Sequence, residues 1–201
     1  MTYRDELISL LCKAENISTT LEIEECIWEV RPRLQRSFWT AVRDRLQVGL
    51  QRERLDRQWL CSTMPGLDPF KDLRKDDVGF RCIVRSPATS RPPRVQAALG
   101  VGSSKLYTGV GFIGTRPEVA IQEISGLAYI LEQEQFRLPR TPDEERFWIA
   151  WIEPGENIQD RGFLIDVASD ATLVADKAIE PLIALLKNHG QRIESIDNAL
   201  Q

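Results

Sequence analysis

Three features of the sequence have residue types and spacing that suggest chemistry. The first is a GxGxxG run, Gly109-Val110-Gly111-Phe112-Ile113-Gly114. In a dinucleotide fold such glycines form a strand-to-helix turn that brings a helix N-terminus against a pyrophosphate. Here the glycines fall inside a predicted strand and Pro117 sets the next helix start beyond them, so the run reads as a twisted or bulged strand. The second is the only histidine, His189. It follows an apolar helical stretch within Lys-Asn-His-Gly, where a C-terminal cap is the expected role rather than a general base. The third is a pair of acidic clusters, Asp143-Glu144-Glu145 and Asp76-Asp77, each read first as a solvated loop or helix cap. No GxSxG, Walker A, HExxH or EF-hand pattern occurs.

Metal chemistry finds little support. Cys12, Cys26, Cys61 and Cys82 have no CxxC spacing and lie in apolar or helical contexts, so they are expected to be reduced core thiols. His189 has no ligand neighbour three or four residues away. Between residues 78 and 117 there is no carboxylate at all, which leaves a hard divalent cation without a ligand there. No cofactor and no metal are expected.

Charge carries the positive signal. The net charge of −4 hides five blocks: −5 over residues 1–30, +5 over 31–59, −1 over 60–77, +6 over 78–117 and −9 over 118–201. Twenty of the 26 basic residues are arginine, which favours planar, bidentate contact with carboxylate or phosphate. Arg36, Arg43, Arg52, Arg81, Arg85, Arg91, Arg94, Lys105 and Arg116 are the candidate contact residues, placed along a helix face and an adjacent sheet. Such a stripe suits phosphates, with salt-sensitive and weakly sequence-specific binding. It equally suits a partner protein, or pairing with the acidic ends of the same chain.

The elements that must position these residues follow from periodicity. Residues 3–14 and 21–30 read as helices, with a boundary expected at Arg31 before Pro32. From Arg33 to about Trp59, Leu34, Phe38, Val42, Leu46 and Leu50 recur every four residues and define a helix that Gly49 bends or ends. A turn-rich loop runs from Pro65 to Asp77. Three strands are expected at Val78–Arg85, Arg94–Val101 and Lys105–Ile113, joined by 86–93 and Gly102-Ser103-Ser104 as an antiparallel meander. A helix capped by Thr115 and opened by Pro117 follows, then a strand at Phe147–Ile152 and a strand-like run at Phe163–Val167. The chain ends in a helix from Asp170 to Lys187, punctuation at Gly190 and a last helical segment.

The predicted fold class is therefore α+β, with N-terminal helices, a three-stranded antiparallel meander, a helix, further strand(s) and C-terminal helices in α-β-β-β-α-β-α order. Residues 1–201 are expected to form a single domain, with 1–32 as a helical N-terminal extension. The acidic N-terminus fits neither a secretory nor a mitochondrial presequence, and the richest apolar stretch, Ile179–Leu186, contains Glu180. A cytoplasmic protein with no membrane segment is expected.

The order of elements is similar to the core of PD-(D/E)XK nucleases, but the strands carry no metal-binding acid and Lys105 has no glutamate partner. A closer likeness lies in Ser37-Phe38-Trp39-Thr40, Val78-Gly79-Phe80, Leu106-Tyr107-Thr108-Gly109, Trp148-Ile149-Ala150-Trp151 and Phe163-Leu164-Ile165-Asp166. That succession, over roughly residues 33–190, resembles the non-catalytic C-terminal domains that follow PD-(D/E)XK nuclease domains in bacterial restriction and defence proteins. The resemblance implies a fold and a setting and transfers no catalytic residue. The expected function is a non-enzymatic accessory module in bacterial DNA processing or defence, contacting nucleic acid or a partner protein. The alternatives are an oligomeric adaptor or chaperone-like protein, and a cryptic hydrolase or nucleotide-binding enzyme.

Overall fold

A computed structural model describes residues 2–72, 78–85, 94–114, 122–153 and 155–200. Helix α1 spans Tyr3–Leu11, closed by a capping box in which the Thr2 hydroxyl accepts from the Asp5 amide and the Asp5 carboxylate accepts from the Thr2 amide. Those hydrogen bonds from Thr2 hold the Asp5 carboxyl below its ordinary pKa. Helix α2 spans Ile17–Arg52, about 54 Å long at 1.5 Å per residue. The predicted stop at Pro32 does not occur. The chain stays helical through the proline, and an i,i+4 ion pair between Glu29 and Arg33, 2.5 Å, straddles it.

Among the described residues five strands follow or intersperse the helices: β1 (Trp59–Thr63), β2 (Val78–Val84), β3 (Val95–Gly102), β4 (Lys105–Phe112) and β5 (Trp148–Ile152). They form one antiparallel sheet in the order β1-β2-β3-β4-β5. The meander at β2–β4 thus stands as expected, while the sheet is wider than its three strands. Trp59 opens β1 instead of ending a helix, because α2 stops at Arg52 and residues 53–58 turn the chain, with Arg54 at φ 59°. Between β3 and β4, Ser103 and Ser104 both adopt positive φ, giving a two-residue hairpin turn that sets Gly102 opposite Lys105. Gly109 and Gly111 lie within β4, and the pairing with β5 bulges between Val110 and Gly111.

Helix α3 spans Gln122–Gln133 and α4 spans Pro142–Phe147. The Asp143-Glu144-Glu145 cluster is the first turn of α4, a helix the periodicity did not indicate; Glu144 closes a capping box with Thr141. The predicted cap at Thr115 and helix start at Pro117 lie outside the described residues, as do the 86–93 connection and Asp76-Asp77.

Helix α5 spans Arg161–Ala199 and corrects two expectations. Phe163–Val167 is helical, not a strand, with Phe163 and Val167 buried one turn apart on the same face. A helical part does begin at Asp170, as expected, but it joins the preceding turns across a kink: the φ of −157° there is non-helical, and the Asp170 carboxylate accepts from the amides of Thr172 and Leu173, capping the longer second part of α5. Gly190 does not end the helix. It sits under the Trp59 indole, where a Cβ would come within 3.3 Å of the ring.

Helices α2 and α5 run parallel and form the most extensive contact between elements. Arg31 donates to the Gln159 carbonyl near one end, Arg45 meets Asp176 in the middle, and Glu53 meets Lys187 at the other end. Gly49 serves this contact: a Cβ there would stand 3.2 Å from Ile183, so the glycine admits close approach without ending α2. The core fills the space between these helices and one sheet face, with Phe38, Trp39, Val42, Leu46, Phe80, Leu99, Leu106, Leu182 and Ile193 all nearly inaccessible. The buried Asp197 ties the end of α5 to the start of β3, its carboxylate accepting from the amides of Arg94 and Val95 at 2.6 and 2.8 Å. Among the described residues no helix is long and apolar enough to cross a membrane.

Candidate functional site

The candidate contact residues divide into groups. Arg91 and Arg116 lie outside the described residues. Arg52 sits at the end of α2, donating to Glu53, which also meets Lys187 at 2.8 Å. The Lys187 ammonium and then the Arg52 guanidinium hold the Glu53 carboxyl below its ordinary pKa. Lys105 is exposed at the start of β4, and Arg94 is exposed just before β3. Arg81 lies on the sheet face away from α5, half-buried, with its Nε inaccessible and without a hydrogen-bond partner. That face holds a small second cluster of Met64, Ala98 and Tyr107, with Trp148 and Trp151 packed against it. The expected single basic stripe is thus broken up: by strand alternation Arg81, Arg94 and Lys105 belong to the sheet face away from the helices, whereas Arg36, Arg43 and Arg52 are on α2.

Three of the arginines do converge. Arg36 and Arg43, two turns apart on α2, both address Phe70: Arg36 donates to its carbonyl at 3.2 Å, and the Arg43 guanidinium lies 5.6 Å from the centre of its ring. Arg43 also shares a groove of about 310 Å³ with Arg85, which enters from the end of β2 and donates to the Trp59 carbonyl at 3.3 Å. The groove runs between the C-terminal half of α2 and β1. Leu46, Leu50, Trp59 and Phe80 form its buried floor and Leu60 its exposed apolar side, Gln47 and Gln51 supply amides, and Asp56 is its one carboxylate among the described residues.

Cys61 also lines this groove, and it is not a free thiol. It forms a disulfide with Cys82, the residue directly opposite on β2, with a Cα–Cα distance of 4.2 Å. Cys12 and Cys26 are exposed. The expectation of four reduced core cysteines is thus corrected: Cys61 and Cys82 are paired, and Cys12 and Cys26 are free thiols as expected but lie on the surface and not in the core. Spacing along the chain could not reveal the pair, because only the β1–β2 register sets residues 21 apart side by side.

His189 is not a cap. It is buried inside α5, and its Nε2 lies 2.9 Å from the Glu134 carboxylate beyond the end of α3. A second groove, about 470 Å³, follows the Asp170 kink and is lined by Glu156, Asp160, Asp166 and Asp170 with Lys177. Asp170 is engaged in capping, and among the described residues no group of His, Cys, Asp or Glu is arranged to hold a metal ion.

Sequence reasoning reached Arg43 and Arg85 but missed β1, Phe70 and the glutamines that complete the groove. The run Trp-Leu-Cys-Ser-Thr at 59–63 is rich in strand-forming types and was the available signal for β1. No protein-family model matches the chain, and no curated protein or solved structure matches it either.

Proposed function

We propose that this chain is a non-enzymatic binding module that takes a partner protein into the Arg43–Arg85 groove between α2 and β1. The observation that carries the reading is the convergence of two guanidiniums from separate elements on one groove that also presents the exposed Leu60 and the amides of Gln47 and Gln51. A site of that composition suits a chain segment that brings both side-chain carboxylates and apolar groups. A nucleic-acid track needs a run of cations at phosphate spacing along one surface. Here Arg45 and Arg52 face Asp176 and Glu53, and Arg81 lies half-buried on the sheet face away from α5, which favours protein over phosphate backbone. The resemblance to domains that follow PD-(D/E)XK nucleases supports reading the module as an accessory of bacterial DNA processing or defence.

The test measures binding of a panel of fluorescent acidic, apolar octapeptides and of single- and double-stranded DNA at low and raised salt. Peptide binding that weakens about tenfold in Arg43→Ala and in Arg85→Ala, the loss of one charge-assisted contact, is the expected result. DNA binding that is lost with salt, with no peptide retained, would overturn the reading in favour of nucleic acid.

A further inference from the structure

The two edges of the sheet differ. On β5 the outer side is already engaged at Trp151, whose carbonyl accepts from the Arg137 amide at 2.6 Å and whose amide donates back at 3.0 Å. On β1 the phase of the ladder is fixed at both ends: the Arg85 amide donates to the Gln58 carbonyl, and the Met64 amide donates to the Gly79 carbonyl. In an antiparallel pair, successive residues point their backbone groups to opposite sides. Gln58, Leu60, Ser62 and Met64 therefore face β2, while Trp59, Cys61 and Thr63 face outward. The short Cα–Cα distance of 4.2 Å between Cys61 and Cys82 agrees, since that is the spacing of a pair that exchanges no hydrogen bonds.

Of the outward residues, Trp59 is used within the chain, its amide donating to the Leu55 carbonyl and its carbonyl accepting from Arg85. The amides and carbonyls of Cys61 and Thr63 have no partner among the described residues. They form two donor–acceptor sets at the i, i+2 repeat of a strand, beside the Arg43–Arg85 groove. Natural edges are usually blunted by charge, proline or a bulge. The five residues Trp-Leu-Cys-Ser-Thr carry no charge and no proline, and they pair with β2 in unbroken register. The Cys61–Cys82 disulfide fastens that edge to its neighbour, so it cannot slip in register or peel away.

We infer that the partner docks by strand addition: an extended acidic peptide pairs with Cys61 and Thr63 as a sixth strand, with Arg43 and Arg85 receiving its carboxylates. This rests on the protein-binding reading above and specifies its mode. Strand addition draws affinity from main-chain hydrogen bonds and selectivity from the side chains that alternate into the neighbouring groove. Alternation fits the site, because every second side chain of the incoming strand would meet α2 at its exposed Arg43, Gln47 and Gln51. Among the described residues the lining carries two arginines against the carboxylate of Asp56; the Arg43 Nε donates to the neighbouring Asp44 at 2.9 Å, and Arg85 meets no carboxylate there, so acidic residues are favoured over basic ones.

The probes are octapeptides alternating glutamate with valine, leucine or phenylalanine, with lysine-containing peptides of the same pattern as controls. In the wild-type protein, binding is expected to slow hydrogen exchange at the Cys61 and Thr63 amides by at least about tenfold, leaving Leu60 and Ser62 unchanged. Thr63→Pro removes one outward amide while leaving the β2 ladder intact, a placement that edge strands tolerate. It is expected to weaken the glutamate peptides about tenfold or more without altering the fold. Peptide binding that depends on Arg43 and Arg85 but leaves exchange at Cys61 and Thr63 untouched would overturn strand addition and keep the protein-binding reading. Failure of every glutamate peptide to bind, or equal binding of the lysine peptides, would overturn both.

Discussion

The two halves of α2 share one helix and differ in surroundings. From Phe38 to Leu50 the helix buries Phe38, Trp39, Val42, Leu46 and Leu50, each no more than 5% exposed, against α5 and the sheet. From Ile17 to Val30 the same helix has passed beyond the start of α5, and Leu21, Trp28 and Val30 are 51%, 65% and 50% exposed. Both halves are rich in apolar residues, so composition does not separate them. What separates them is the presence of a partner surface, since helices in water draw most of their stability from packing an apolar face. The groove and the open β1 edge belong to the packed half, where the arginines are held at fixed positions. The N-terminal half carries glutamates and exposed apolar side chains.

The largest expected effect compares two tryptophans on that helix. Trp39 is 1% exposed and packs on Phe38 and Phe80, with ring centroids 5.0 and 6.0 Å away. Trp39→Ala should cost about 3–5 kcal/mol in chemical denaturation, through lost transfer energy and the cavity left behind. Trp28→Ala should stay within about 0.5 kcal/mol, as an exposed surface substitution. Equal losses would mean that the N-terminal half is covered in solution and that the contrast is false.

A smaller effect is expected at the junction. Pro32 has no amide to donate to the Trp28 carbonyl, one turn earlier, and its ring crowds that carbonyl. Pro32→Ala restores the bond and should slow hydrogen exchange in residues 21–31 by an amount equivalent to about 1–3 kcal/mol. The global unfolding midpoint should hardly move, because the helix beyond the junction already has its stability from α5. A matching rise in global stability would show that the two halves unfold together.

How far these features could be read from sequence depends on how local their causes are. The four-residue repeat of Leu34, Phe38, Val42, Leu46 and Leu50 is local, and it marked the packed half of α2 correctly. Leu55 and Trp59, one residue out of step with that repeat, extended the apolar pattern by coincidence and concealed β1, and with it one wall of the groove. Pro32 was read as a stop because a proline disfavours the helix locally, yet the turns on either side are continuous enough to carry the helix through it. Phe163–Val167 is a five-residue run, apolar but for Asp166, a length at which strand and helix look alike. The disulfide and the outward phase of Cys61 and Thr63 are properties of strand register, which no single-chain spacing encodes. The candidate site was thus legible in its charges and hidden in its geometry.

The smallest effect separates the two ends of the comparison. At the packed end, Glu53 is held between Lys187 and Arg52, and the resulting hydrogen bonds and charges keep its carboxyl below the ordinary glutamate pKa. A depressed folded-state pKa means that the unfolded chain takes up the proton first as pH falls. The contribution is therefore complete above the ordinary glutamate value and disappears as pH drops through the lower folded value. Glu53→Gln should lower the melting temperature slightly at neutral pH, with the gap to wild type closing in acid. On the exposed half, Glu29 and Arg33 form a pair whose side chains are 65% and 73% accessible. Such a pair contributes little, since solvent screens it and two long side chains must be ordered to make it. Glu29→Gln should leave the melting temperature unchanged at both pH values. A pH-dependent loss in Glu29→Gln as large as that in Glu53→Gln would show that the N-terminal half is anchored as firmly as the rest of the helix, and that its exposed apolar residues have a partner in solution.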